Sequence, residues 1–175
     1  MGTTSTATGR RRATGPAGGT FDSLEQEAYL QLWRTYDRLR EIDERVFARR
    51  GISAQQYNAL RVLRSAHPAG LATAALGGRL VSRAPDMTRL LDKLEERGLV
   101  RRRRRADNRR VVEAWITPAG AALVTRLAED VRRCGREQLG HLDRKTLRTL
   151  VDILERARQP HEDAAGEAAW PAAGG

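Results

Sequence analysis

Between Arg97 and Arg110 the chain sets eight arginines against a single acid, Asp107, and so places seven of its ten net positive charges in one short stretch. The chemistry open to such a stretch is the binding of a polyanion. A disordered basic arm belongs in a low-complexity tail, and a solvated charged face mixes in acids. Here the run Arg101–Arg105 follows the apolar pair Leu99-Val100, breaks at Ala106-Asp107-Asn108, and resumes as Arg109-Arg110 before the β-branched and aromatic segment Val111–Ile116. That pattern predicts a β-hairpin with an arginine-covered tip, in contact with nucleic acid. Asp107 has two readings: a carboxylate that orients Arg109 or Arg110, or a plain turn former.

Other chemistries find less support. The one cysteine, Cys134, excludes a disulfide framework and a cysteine-rich zinc site. It falls in a helical pattern and reads as a packing residue, with a redox sensor as the alternative because Arg132, Arg133 and Arg136 stand close in sequence. His67 beside Pro68 and His141 between helices lack a second ligand at metal spacing, so no metal or cofactor is expected. No phosphate-binding glycine loop, His-Glu-x-x-His or supported Ser, His and Asp set occurs, and an enzyme is the weakest class.

With 175 residues, 40% of them hydrophobic, the chain suits one soluble domain with tails. No apolar run is long enough for a membrane span, no apolar stretch follows Arg10-Arg11-Arg12 to make a secretory signal, and a cytoplasmic location is expected. The pI of about 11.1 points to nucleic acid rather than a membrane surface, because the densest charge lies on a hairpin and not opposite the apolar face of a helix.

The elements that must position these residues follow from spacing. Residues 1–20 and 158–175 read as disordered tails. Leu32, Trp33, Tyr36, Leu39, Ile42 and Val46 mark a long first helix from Phe21 to about Arg49, closed by Gly51. Ser53 caps a second helix carrying Tyr57, Leu60, Val62 and Leu63, and Leu71–Leu80 suggests a short third. A fourth starts at the N-cap Ser82, tolerates Pro85 in its first turn, buries Met87, Leu90, Leu91 and Leu94, and stops at Gly98. After the hairpin, Thr117-Pro118 opens a fifth helix with Leu123, Val124, Leu127 and Val131 inside, and Asp143 or a neighbour caps a sixth with Leu147, Leu150, Val151 and Leu154.

The third and fourth helices make a helix-turn-helix whose second member reads a major groove, and the hairpin beside it reaches backbone and minor groove. Three segments then resemble the winged helix-turn-helix regulators of the MarR family. They are Ile52–Tyr57, Thr88–Val100, and Asp107-Asn108-Arg109-Arg110 leading to Ile116–Gly120. Asn108 departs from the pattern, since the family often has an acid before the paired arginines.

The resemblance implies a mainly α fold with a small β-hairpin wing. Residues 52–117 would form the winged helix-turn-helix, and residues 21–50 and 118–157 the dimerisation helices, within a domain spanning 21–157. Three long apolar-striped helices, too many for a compact winged unit to cover, argue for a homodimer independently. The expected DNA contacts are Ser82, Arg83, Pro85, Asp86, Thr88, Arg89 and Lys93 from the recognition helix, and Arg101, Arg103, Arg105, Asp107, Asn108, Arg109 and Arg110 from the wing. Family likeness also implies a small aromatic effector, for which Trp33, Tyr36 and Tyr57 are the candidate lining. The expected function is a sequence-specific regulator of double-stranded DNA, a repressor released by that effector. The alternatives are a low-specificity architectural protein, or a redox-responsive regulator acting through Cys134.

Overall fold

The computed structural model describes residues 21–81 and 86–165. In chain order the elements are α1 (Leu24–Ala48), α2 (Ala54–Ala66), β1 (Leu71–Ala72), α3 (Thr73–Gly77), α4 (Met87–Glu96), β2 (Val100–Arg104), β3 (Val112–Ile116), α5 (Pro118–Leu139) and α6 (Arg144–Ala165). Contacts divide the chain into one unit ending at Glu41 and another beginning at Ile42, so α1 belongs to both.

In the first unit the Ser23 hydroxyl accepts from the Gln26 N–H and starts α1. The apolar residues of this part of the helix face solvent: Leu24, Tyr29, Leu32, Trp33 and Tyr36 are all exposed, and the Tyr29 and Trp33 rings lie 6.1 Å apart.

The second unit holds the core. Leu60 and Leu63 of α2, Leu76 of α3, Leu91 and Leu94 of α4, Val100 of β2, and Val124 and Leu127 of α5 are its largest fully buried side chains. Each such side chain contributes about 1.5–3 kcal/mol by leaving water. Phe47 at the end of α1 joins them through the Tyr57 ring, 5.1 Å away. The α2 start is fixed by a capping box, in which Ser53 accepts from the Gln56 N–H while the Gln56 side chain accepts from the Ser53 N–H.

Two expectations are corrected here. The segment Leu71–Leu80 is not one helix: Leu71 and Ala72 form a strand that pairs antiparallel with Ala114 and Glu113, and only Thr73–Gly77 is helical. The wing is therefore three-stranded, in the order β1-β3-β2. The N-cap of α4 is Asp86, whose carboxylate accepts from the Arg89 N–H at 2.8 Å, and not Ser82. Ser82, Arg83 and Pro85 lie outside the described residues.

β2 and β3 pair from Val100↔Ile116 to Arg104↔Val112, as the hairpin reading requires. Thr117 then caps α5 and also donates from its hydroxyl to the Gly98 carbonyl at 2.7 Å, tying the base of the wing to the helix that follows. A side chain at Gly120 would meet the Leu99 carbonyl oxygen at 2.2 Å, so the close approach of α5 to β2 requires glycine there. Asp143 caps α6 through the Thr146 N–H. The C-terminal boundary also differs from expectation, because α6 continues through Pro160 to Ala165 instead of ending near residue 157. The remaining tail positions, 1–20 and 166–175, lie outside the described residues.

Candidate nucleic-acid interface

The apolar stripe of α4 goes into the core, and the opposite face is open to solvent. Leu90, Leu91 and Leu94 are buried, whereas Thr88, Arg89 and Lys93 are exposed. Across from Arg89 and Lys93 stands the first turn of α2, so that Ser53, Gln55, Gln56, Asp86, Arg89, Leu90 and Lys93 together line a groove of about 360 Å³. Ser53 and Gln55 escaped the sequence reading because the groove joins residues some thirty positions apart.

In the wing the arginines separate into two sets. Arg102 points toward α4, where its Nε donates to Glu95 Oε2 at 2.8 Å, its backbone N–H donates to Glu95 Oε1 at 2.8 Å, and its Nη2 bonds Asp92 Oδ1. Partial burial opposes the charge on Arg102, but the hydrogen bonds to Glu95 and Asp92 outweigh it and raise the guanidinium pKa above the ordinary arginine value. On the other face of β2, Arg101 lies 5.4 Å from the centre of the Trp115 ring, a cation–π contact across the paired strands. Arg97 donates to the Gly51 carbonyl.

The acid of the tip is also spoken for. Asp107 accepts two hydrogen bonds from Arg105, one of them at 2.9 Å from Nε, and this holds its carboxyl below the usual aspartate range. The expectation that Asp107 orients Arg109 or Arg110 is thus corrected: its partner precedes it in the chain, because the turn folds Arg105 back over Asp107. Asn108 instead supports the turn, its side-chain oxygen accepting from the Arg110 N–H at 3.1 Å. Arg103, Arg104, Arg109 and Arg110 are exposed and have no ion pair among the described residues. These four are wing cations available to an outside partner.

Tyr57 is in the core at 8% exposure, while Trp33 and Tyr36 are exposed on α1. Cys134 is buried, and its thiol donates to Asp43 Oδ1 at 3.2 Å. Burial first, and the Asp43 carboxylate second, push that thiol up to about 12. The neighbouring Arg132 and Arg136 pair with Glu129, and Arg133 pairs with Asp130. Among the described residues no helix is long and apolar enough to cross a membrane.

A helical core with a three-stranded wing, and a helix α4 whose polar face is open beside it, define a winged helix-turn-helix protein. The sequence profile of the MarR family matches residues 52–112. A MarR transcription factor from Planctomyces limnophilus is 55% identical, the alignment covering 77% of this chain and 98% of that one, with a TM-score of 0.62. The chain belongs to the MarR family. Two more distant structures share the fold. One is a mutant MarR from E. coli complexed with operator DNA, at 22% identity, coverage of 78% and 99%, and a TM-score of 0.65. The other is Bordetella bronchiseptica BpsR, described for the regulation of its DNA binding by 6-hydroxynicotinic acid, at 20% identity, coverage of 75% and 98%, and a TM-score of 0.68. No curated protein sequence matches.

Proposed function

We propose that this protein is a homodimeric, sequence-specific regulator of transcription that binds a pseudo-palindromic operator. In this reading α4 enters the major groove, with Thr88 and Arg89 at base edges and Lys93 on the backbone, and Arg83, Pro85 and Asp86 add further contacts. Arg103, Arg104, Arg109 and Arg110 then hold phosphates and the adjacent minor groove, whose negative potential draws arginine. The observation that carries the reading is the exposure of Arg89, Lys93, Arg103, Arg104, Arg109 and Arg110, none of them in an ion pair among the described residues, on the two elements that a winged helix lays against DNA. The operator complex of the E. coli relative supports it. Residues 21–50 and 118–157 serve as the dimerisation helices in this proposal, supported by the exposed apolar residues of α1 and by Val151 and Ile153 of α6. Repression relieved by a small aromatic molecule completes it, supported by the behaviour described for BpsR and by the exposed Trp33 and Tyr36.

The test is fluorescence-anisotropy binding of the purified protein to the duplex upstream of its own gene and to a scrambled duplex, over a salt series. A preference of about a thousandfold or more at physiological salt is the expected result. If the free wing arginines of both subunits each neutralise one phosphate, the slope of log K against log salt is about −7. Near-equal binding of the two duplexes with that same steep slope would replace the regulator with an architectural protein that coats DNA.

A further inference from the structure

Gly51 joins α1 to the winged part of the chain. Its φ of 62° lies in the left-handed region, and a side chain there would meet nothing within 4 Å, so glycine is needed for the backbone and not for space. Two arginines clasp this joint, one from α4 and one from the turn itself. Arg97, at the C-terminal end of α4, donates to the Gly51 carbonyl and, at 3.5 Å, to the Arg50 carbonyl. Arg50 in turn donates to Asp130 Oδ2 at 3.0 Å, half-way along α5, while the other Asp130 oxygen accepts from Arg133 at 2.7 Å. The Asp130 side chain is only 17% exposed, which shields this pair more than the ordinary surface pairs of α5.

The recognition helix is thereby connected to α5 through a single turn of chain. Leu90, Leu91 and Leu94 keep α4 in the core, and Phe47 against Tyr57 keeps the end of α1 there. The two arginines are therefore not what makes the unit fold. Ion pairs and hydrogen bonds of this exposure add little to stability, but they restrict the movement of a joint whose φ and ψ would otherwise absorb a swing.

We infer that Arg97 and Arg50 are positioning residues that limit the swing of the winged part about Gly51, and so fix the separation at which two recognition helices meet DNA. This rests on the homodimeric operator-binding reading above. A joint held before binding does not have to be ordered on binding, so the clasp favours one half-site spacing over its neighbours.

The experiment measures how binding depends on spacing. A duplex selected by the wild-type protein from a random library is compared with the same duplex carrying one extra central base pair, which moves a half-site by about 3.4 Å and turns it by about 35°. Wild-type protein is expected to lose affinity at least about tenfold on the insertion, whereas Arg97→Ala and Arg50→Ala lose less than about threefold. A merely structural role lowers the active fraction equally on both duplexes and leaves that ratio unchanged. Should Arg97→Ala not fold, Arg50→Ala and Asp130→Asn break only the α5 side of the clasp and read the same ratio. A wild-type penalty that all folded variants retain in full would overturn the inference and leave the operator reading standing. No wild-type penalty would overturn the inference and leave the operator reading standing, whereas a selected duplex without half-sites would overturn the operator reading and the inference with it.

Discussion

Cys134 shows how one residue's surroundings decide between two chemistries. Three arginines nearby in sequence suggest an activated thiol, yet each of them turns to Glu129 or Asp130, and the group that meets the sulfur is the Asp43 carboxylate. A buried thiol donating to a carboxylate keeps its proton, which is the reverse of what a redox sensor requires. With its pKa raised to about 12, Cys134 is expected to react with a disulfide reagent at pH 8 far more slowly in the native protein than in denaturant. The difference should exceed about tenfold, and peroxide should leave DNA binding unchanged. Equal native and denatured rates would contradict this. The sign of the linkage follows from the raised value. Between about pH 9 and 12 the unfolded chain ionises this thiol and the folded chain does not, so the contribution of Cys134 to stability is full below that window and is lost across it. The carboxyls of Asp107 and Asp130, held low by Arg105 and Arg50 respectively, behave oppositely: their contribution is present above the ordinary aspartate range and is lost in acid.

At the scale of elements the arginines of the wing divide the work between them. Arg102 latches β2 to Asp92 and Glu95 of α4, while Arg103, Arg104, Arg109 and Arg110 remain open. Replacing Arg103 and Arg104 together by Ala is expected to make the salt slope of DNA binding shallower by about 3–4 for a dimer. Arg102→Ala is expected to weaken binding with the slope nearly unchanged, because the residue it removes orients the wing and neutralises no phosphate. A loss of slope from Arg102→Ala equal to that of the free arginines would refute the division. Helices α2 and α5 were legible in sequence, since each carries an apolar stripe and a capping residue within a few positions; α4 was legible by its stripe alone, because its cap is Asp86 and not Ser82. β1 was not, because Leu71-Ala72 has no alternation of its own and becomes a strand only by pairing with Ala114 and Glu113. The hairpin and its exposed arginines could be read locally. The Arg102 latch depends on how β2 lies against α4, and the partner of Asp107 depends on the turn closing back on Arg105, neither of which spacing records.

The molecule as a whole carries more apolar surface than one chain covers. Trp33 and Tyr36 on α1 are each 59% exposed, and Val151 and Ile153 on α6 are about half exposed. If a second copy covers these faces, stability must depend on concentration, and the midpoint of thermal unfolding should rise by several degrees over a hundredfold increase in protein. Sedimentation should give a dimer at the upper end of that range, and a midpoint independent of concentration in a sedimenting monomer would exclude it. The tip of the wing carries a different consequence. The ladder between β2 and β3 is complete at Arg104↔Val112, and one further hydrogen bond, from the Arg105 N–H to the Val111 carbonyl at 3.0 Å, seals the loop beyond it. Everything past that seal hangs outside the core and outside the α4 contacts. Its length and charge are therefore free to drift among descendants of this gene without disturbing α4, and, if α4 reads bases as proposed, strength of grip and choice of address can evolve as separate traits.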